Sequence, residues 1–155
     1  MLDQLRDFHR RTGASHFHSS VSVLPILQAI KARMGPMDAC VLSKGHAESA
    51  YILVFGEKSE EAFWSLGSGI GFGMGLALAD PESTVFVVCG GGGMQEGSCS
   101  EALLAMSRLG IKNVEVHVDG NGMQGHGNCP KPEFPVVFYH NTVKGISWEC
   151  HYANA

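Results

Sequence analysis

Apolar positions change their spacing several times along the chain, and each change marks an element boundary. Leu2, Leu5 and Phe8 recur at helical spacing, and Val23, Leu24, Leu27 and Ile30 do so in a second segment that Gly35-Pro36 ends. Cys40-Val41-Leu42 reads as a short strand, and a helix from Ala47 to Phe55 follows the Ser43-Lys44-Gly45-His46 turn. Glu57 to Glu61 reads as a polar loop. Thr84 to Cys89 is a continuous run rich in β-branched residues, the pattern of a strand covered on both faces. Ser98 to Leu109 is helical, with Ala102, Leu103, Met106 and Leu109 on one side. Asn113 to Val118 alternates apolar and polar positions as a strand does, and Val136 to Tyr139 is the last strand. Strands separated by helices predict parallel crossovers, and therefore an α/β sheet whose ligand lies at the carboxyl ends of the strands.

Small residues add a second pattern. Gly67, Gly71, Gly75 and Ala79 repeat at every fourth position, which predicts a helix face that packs closely on the sheet or on a partner helix.

Composition narrows the class. With 155 residues, 45% hydrophobic and 17% charged, the chain can bury one real core, and residues 1–155 read as a single globular domain. A formal net charge of −4 predicts no general affinity for nucleic acid. There is no apolar run long enough for a membrane span, and MLDQLRDFHRR lacks the apolar core of a signal peptide. The five cysteines, Cys40, Cys89, Cys99, Cys129 and Cys150, include no CxxC pair and read as reduced thiols of a cytoplasmic protein. His126 and Cys129 in HGNC offer two ligand types only, which falls short of a metal site.

Most of the 20 glycines lie between Gly67 and Gly127, so backbone rather than side chain approaches something there. In VVCGGGGMQEG, Gly90 to Gly93 follow a buried-looking strand and precede a helix. At that position unpaired N–H groups and the helix dipole attract an anion such as a diphosphate. The same glycines also suit a tight turn with close helix–sheet packing, and from them alone both readings stand. The tract matches neither a dinucleotide fingerprint nor a Walker loop.

Five segments then occur in the order found in transketolases: SKGHAESA (Ser43 to Ala50), SLGSGIGFGMGLALA (Ser65 to Ala79), GGGGMQEGSCSEAL (Gly90 to Leu103), VDGNGMQ (Val118 to Gln124) and TVKG (Thr142 to Gly145). The chain resembles the N-terminal thiamine-diphosphate-binding domain of that family. The resemblance implies a parallel sheet sandwiched by helices, thiamine diphosphate with Mg2+ as cofactors, and a ketose or 2-oxo acid as substrate. It also implies transfer of a two-carbon ketol or acyl unit.

The family's residues carry over position by position. His46 resembles the histidine lining the cofactor's reaction centre, and His16 in ASHFH takes the place of a histidine that handles substrate or proton. His151 resembles a further histidine of that kind, anchored only by TVKG. Leu66 and Gly67 match the segment over the cofactor's rings, while Trp64 stands where the family has a glycine. Gly90, Gly91, Gly92 and Gly93 match the diphosphate loop. Asn121 and Met123 match the residues whose side-chain and backbone oxygens hold the metal. Glu96 and Glu101 match acids at the family's subunit interface, or else lie at an exposed helix N-terminus where the dipole favours them.

Two departures follow from the same resemblance. The family's loop reads Gly-Asp-Gly, whereas Gly91 occupies the place of the Asp, 30 positions before Asn121, so the metal site is expected to be weakened. The segment between His46 and Leu66 is short. The glutamate that activates the cofactor belongs to a pyrimidine-binding domain absent from this sequence. A pyrimidine-domain subunit is therefore the expected partner, in a hetero-oligomer. The competing expectation is a non-catalytic or regulatory remnant of the same fold, and the third is a nucleotide-binding α/β domain unrelated to thiamine.

Overall fold

A computed structural model describes residues 1–59, 65–124, 127–129 and 137–142. In chain order the elements are α1 (Leu2–Thr12), α2 (Phe17–Arg33), β1 (Ala39–Ser43), a 3-10 turn (Gly45–Ala47) and α3 (Glu48–Phe55). They continue with α4 (Gly69–Ala79), β2 (Val85–Gly90), a second 3-10 turn (Gly93–Gln95), α5 (Gly97–Leu109), β3 (Val114–Asp119), the short pair β4 (Met123–Gln124) and β5 (Gly127–Asn128), and β6 (Val137–His140). The sheet runs β1-β2-β3-β6, all parallel, while β4 and β5 form a separate antiparallel ribbon.

Alternation along the strands divides the core in two. Val85, Val87 and Cys89 point to one face with Val41, Val116 and Val118, and Ile70 and Ala77 of α4 and Cys99, Leu103 and Met106 of α5 cover them. Phe86 and Val88 point to the other face with Leu42, beneath Leu5 of α1, Val23, Leu27 and Ile30 of α2, and Ala50 and Tyr51 of α3. This is the expected sheet between helix layers, and it explains why β2 reads as an unbroken apolar run.

The small-residue face differs from the sequence expectation. Gly69, Ile70, Gly73 and Ala77 are the buried positions of α4, and a Cβ on Gly73 would lie 2.5 Å from Val87 Cγ2. Among the described residues, nothing beyond the chain neighbours and the helix's own backbone lies within 4 Å of a Cβ on Gly71 or Gly75. Burial selects the i, i+3, i+7 set that faces the sheet, whereas the every-fourth-residue repeat drifts around the helix onto its open side. Gly67 precedes the helix altogether, with φ +85.

At the edges the boundaries shift slightly. The helix expected from Ala47 begins at Glu48, after the 3-10 turn. Asn113 stands before β3, where its amide donates to the carbonyls of Ala77, Asp80 and Ser83 and so closes the end of α4. Among the described residues, no helix is long and apolar enough to cross a membrane.

Candidate functional site at the carboxyl edge of the sheet

Parallel strands end side by side, so the turns that follow them meet. Ser43 of β1 is in register with Cys89 of β2, and Gly90 of β2 with Asp119 of β3. The SKGH turn, the glycine loop and the Asn121 turn therefore emerge from one edge.

The segment before α4 joins them. The Ser43 hydroxyl accepts the Gly69 N–H at 3.2 Å, which fixes the start of α4 against the end of β1. Leu66 is exposed, and its Cδ1 lies 3.6 Å from where a Gly93 Cβ would be. Gly67 is buried with positive φ, and a Cβ there would lie 2.8 Å from Glu96 Cβ and 2.6 Å from Ser98 Oγ. Only glycine allows this approach of the Leu66 segment to the loop and the start of α5. Glu96 and Glu101 are exposed, and Glu96 makes no side-chain cap on α5.

Beneath the loop lies a polar hub that the sequence did not announce. Lys44 and Asp119 form an ion pair whose carboxylate is wholly buried. Ser22 of α2 donates to Asp119 Oδ2 at 2.6 Å and Asn121 Nδ2 donates to the same oxygen at 3.2 Å, while Thr142 donates to Oδ1. The ammonium of Lys44 also reaches the Ser19 carbonyl and the Ser22 hydroxyl, each at 3.3 Å. Burial alone would raise the Asp119 pKa, but the Lys44 charge and the donated hydrogen bonds outweigh it and hold the carboxyl below its ordinary value. Burial pulls Lys44 down, partly offset by Asp119.

Three features could have signalled this hub: a lysine two residues before His46, an acid closing an apolar strand two residues before Asn121, and serines 19, 20 and 22 on a buried helix face. Its effect is geometric. One ammonium ties the chain near His16, the turn carrying His46 and the strand end carrying Asn121.

The candidate histidines meet at the far end of this edge. The His16 and His46 rings stack, with centroids 4.1 Å apart and planes 16° from parallel. They share the wall of an open cleft of 360 Å³ with Ser15, Ser49 and Lys58. His16 is the only non-glycine with positive φ among the described residues, at 62°, where it begins α2 without a side-chain cap. Such a conformation disfavours any residue with a Cβ and is found where the surroundings impose it. Here it swings His16 onto His46. His151 and Trp64, like His126, lie outside the described residues.

Asn121 and Met123 occupy a tight turn in which the Asn121 Oδ1 accepts the Met123 N–H at 3.0 Å. The Cys129 N–H donates to the Gly122 carbonyl at 2.8 Å, bringing β5 back under the glycine loop. As a site for a hard divalent cation the donor set does not fit. Asn121 and Met123 offer neutral oxygens, position 91 carries no side chain, and both Asp119 oxygens already accept hydrogen bonds. Among the described residues no group of three or more His, Cys, Asp or Glu is placed to hold a metal ion. An anionic group on the loop backbone is a better match, since β2 delivers glycines directly to the start of the turn and α5.

Two of the thiols, Cys40 and Cys99, are held protonated. Burial pushes Cys40 up to about 12 and Cys99 up to about 11, where the thiolate is scarce at neutral pH. Among the described residues the four cysteines form no disulfide.

Comparison with protein families places this edge in a known context. The family model described as thiamine pyrophosphate enzyme, C-terminal TPP binding domain, matches residues 52–148, more than half of the chain. That span contains Leu66, the glycine loop and the Asn121 turn. A comparison with curated proteins returns no significant match.

Proposed function

The chain belongs to the thiamine pyrophosphate enzymes, through their TPP-binding domain, and we propose that within them it is the diphosphate-binding subunit of a split transketolase-like enzyme. In this reading residues 1–155 form one domain that acts in the cytoplasm with a separate pyrimidine-domain subunit. The reaction is transfer of a two-carbon ketol or acyl unit from a ketose or 2-oxo acid.

The observation that carries the proposal is the convergence of the glycine loop, Leu66, the Asn121 turn and the stacked histidines on one sheet edge. Thiamine diphosphate supplies, when bound, the carbon nucleophile and electron sink that side chains lack. Gly90, Gly91, Gly92 and Gly93 present backbone to the diphosphate, and Leu66 and Gly67 lie on the side where the rings would rest. Asn121 and Met123 orient the diphosphate end. His16 and His46 hold and move protons at substrate oxygens in the adjoining cleft, since an imidazole can both donate and accept near neutral pH. With no carboxylate at position 91, magnesium beside the diphosphate is left with the neutral oxygens of Asn121 and Met123, a weaker hold than a site with an acid gives.

A second reading has one observation in its favour. The missing carboxylate at position 91 suits a non-catalytic or regulatory subunit that retains the fold with a weakened metal site. Co-purifying the chain with a pyrimidine-domain partner and assaying thiamine-diphosphate-dependent consumption of a ketose or 2-oxo acid separates the two. Turnover supports the catalytic subunit. A stable complex without turnover or retained cofactor supports the silent one.

A further inference from the structure

The glycine at position 91 does not need to be a glycine for its own backbone. Its φ is not positive, unlike those of Gly67, Gly122 and Gly127. The reason lies in a neighbour. A Cβ at position 91 would lie 3.0 Å from Cys129 Sγ, with Cys129 Cβ at 3.9 Å and the Asp119 carbonyl oxygen at 3.8 Å. The last two are ordinary contacts. Among the described residues, the sulfur is the one atom that crowds the position.

Cys129 is also held there from two sides. Its N–H donates to the Gly122 carbonyl at 2.8 Å, and the Gln95 amide donates to its Sγ at 3.0 Å. Moving the sulfur aside therefore sacrifices a contact with the turn that opens α5. The adjoining glycine is enclosed in a similar way, since a Cβ at position 92 would lie 3.1 Å from Gln124 Cβ. Gln124 of β4 and Cys129, just after β5, thus underlie two consecutive loop positions.

We infer that Gly91 and Cys129 are a matched pair, and that Cys129 is the specificity-determining residue that keeps a metal-binding carboxylate out of the loop. This inference rests on the reading of the loop as a diphosphate site and sharpens it. Restoring an acid at position 91 is not enough to make cofactor binding depend on a divalent cation, because its Cβ would sit 3.0 Å from the thiol sulfur, which must give way against its Gln95 hydrogen bond before the acid is seated. Removing the thiol opens that room.

Two measurements on the full chain test the pair. The first is a urea-unfolding cycle of Gly91→Ala, Cys129→Ala and the double variant, which needs no ligand. Gly91→Ala is expected to raise the unfolding equilibrium constant at least 10-fold in the wild-type background and less than 3-fold in the Cys129→Ala background. Equal effects in both backgrounds would overturn the inference. The second is calorimetric titration with thiamine diphosphate in magnesium and in chelator. Wild type and Gly91→Asp are expected to change affinity less than 3-fold between the two conditions, and Gly91→Asp with Cys129→Ala at least 10-fold. A 10-fold magnesium effect in wild type, or in Gly91→Asp alone, would overturn it. Failure of every form to bind the cofactor would count against the diphosphate reading, while the unfolding cycle would still decide the pairing.

Discussion

Lys44 and Asp119 face each other under the glycine loop as a buried ion pair, although 75 residues separate them in the chain. The pair joins the ends of two strands that do not neighbour each other in the sheet, spanning the end of β2. It also sets the distance between the turn carrying His46 and the turn carrying Asn121.

Removing either charge should therefore unfold more than a local contact. Lys44→Met or Asp119→Asn leaves its partner buried without a counter-charge, which costs about 3–5 kcal/mol in comparable pairs. The double variant leaves no charge unmatched and should be more stable than Lys44→Met alone by about 2 kcal/mol. Urea unfolding of the three variants checks this, and strictly additive losses would argue against the pairing.

His16 should be a residue whose removal helps the fold and harms the reaction. Its left-handed backbone disfavours a side chain, so His16→Gly is expected to stabilise the chain by about 1 kcal/mol. In the reconstituted enzyme the same change should lower kcat about 100-fold, the scale of a lost proton-transfer group. Paired unfolding and turnover measurements give both numbers.

Opposite signs are expected within α4. Gly71→Ala and Gly75→Ala enter open space and should each stabilise the isolated chain by about 0.5–1 kcal/mol through helix propensity. Gly73→Ala pushes a methyl group into Val87 and should destabilise it by about 1–3 kcal/mol. Thermal unfolding of the three variants distinguishes this packing face from the one the glycine repeat suggests.

A pH dependence should arise at the sheet edge. His117 is buried and shares a 2.9 Å hydrogen bond from Nδ1 to His140 Nε2. Burial lowers the pKa of His117 below its ordinary 6.5, with Glu115 opposing and His140 reinforcing the shift, and His140 is lowered by its own burial against Asp119. The unfolded chain then binds more protons than the folded one once the pH falls below about 6.5. Stability present above that pH should decline as the pH drops from there toward the lowered folded values. Thermal unfolding from pH 8 to pH 5 in wild type and His117→Asn tests it, the variant showing the flatter profile.

What was legible in the sequence follows from what repeats. Val85 to Cys89 and Val116 with Val118 announce strands because burial on both faces demands apolar residues throughout, and Leu103 and Met106 announce α5 by their period. The glycine loop and the Asn121 turn were legible as motifs because their backbone requirements are local. The hub was not, since Ser22, Lys44, Asp119 and Thr142 come from four separate stretches of the chain and only the fold brings them together. Gly91 looked like a loss at one position. Its dependence on Cys129, 38 residues later, is a property of packing and leaves no pattern in the sequence.

The central claim is that the edge formed by Gly90 to Gly93 and Asn121 binds a diphosphate. Calorimetric titration of the full chain with thiamine diphosphate and with inorganic pyrophosphate tests it most directly. Both should bind at one site per chain and compete, and Asn121→Ala should weaken both about 10-fold, while thiamine without its diphosphate should not compete. Saturable binding of adenine or nicotinamide nucleotides in place of both, or no diphosphate-dependent binding in any form, would contradict it.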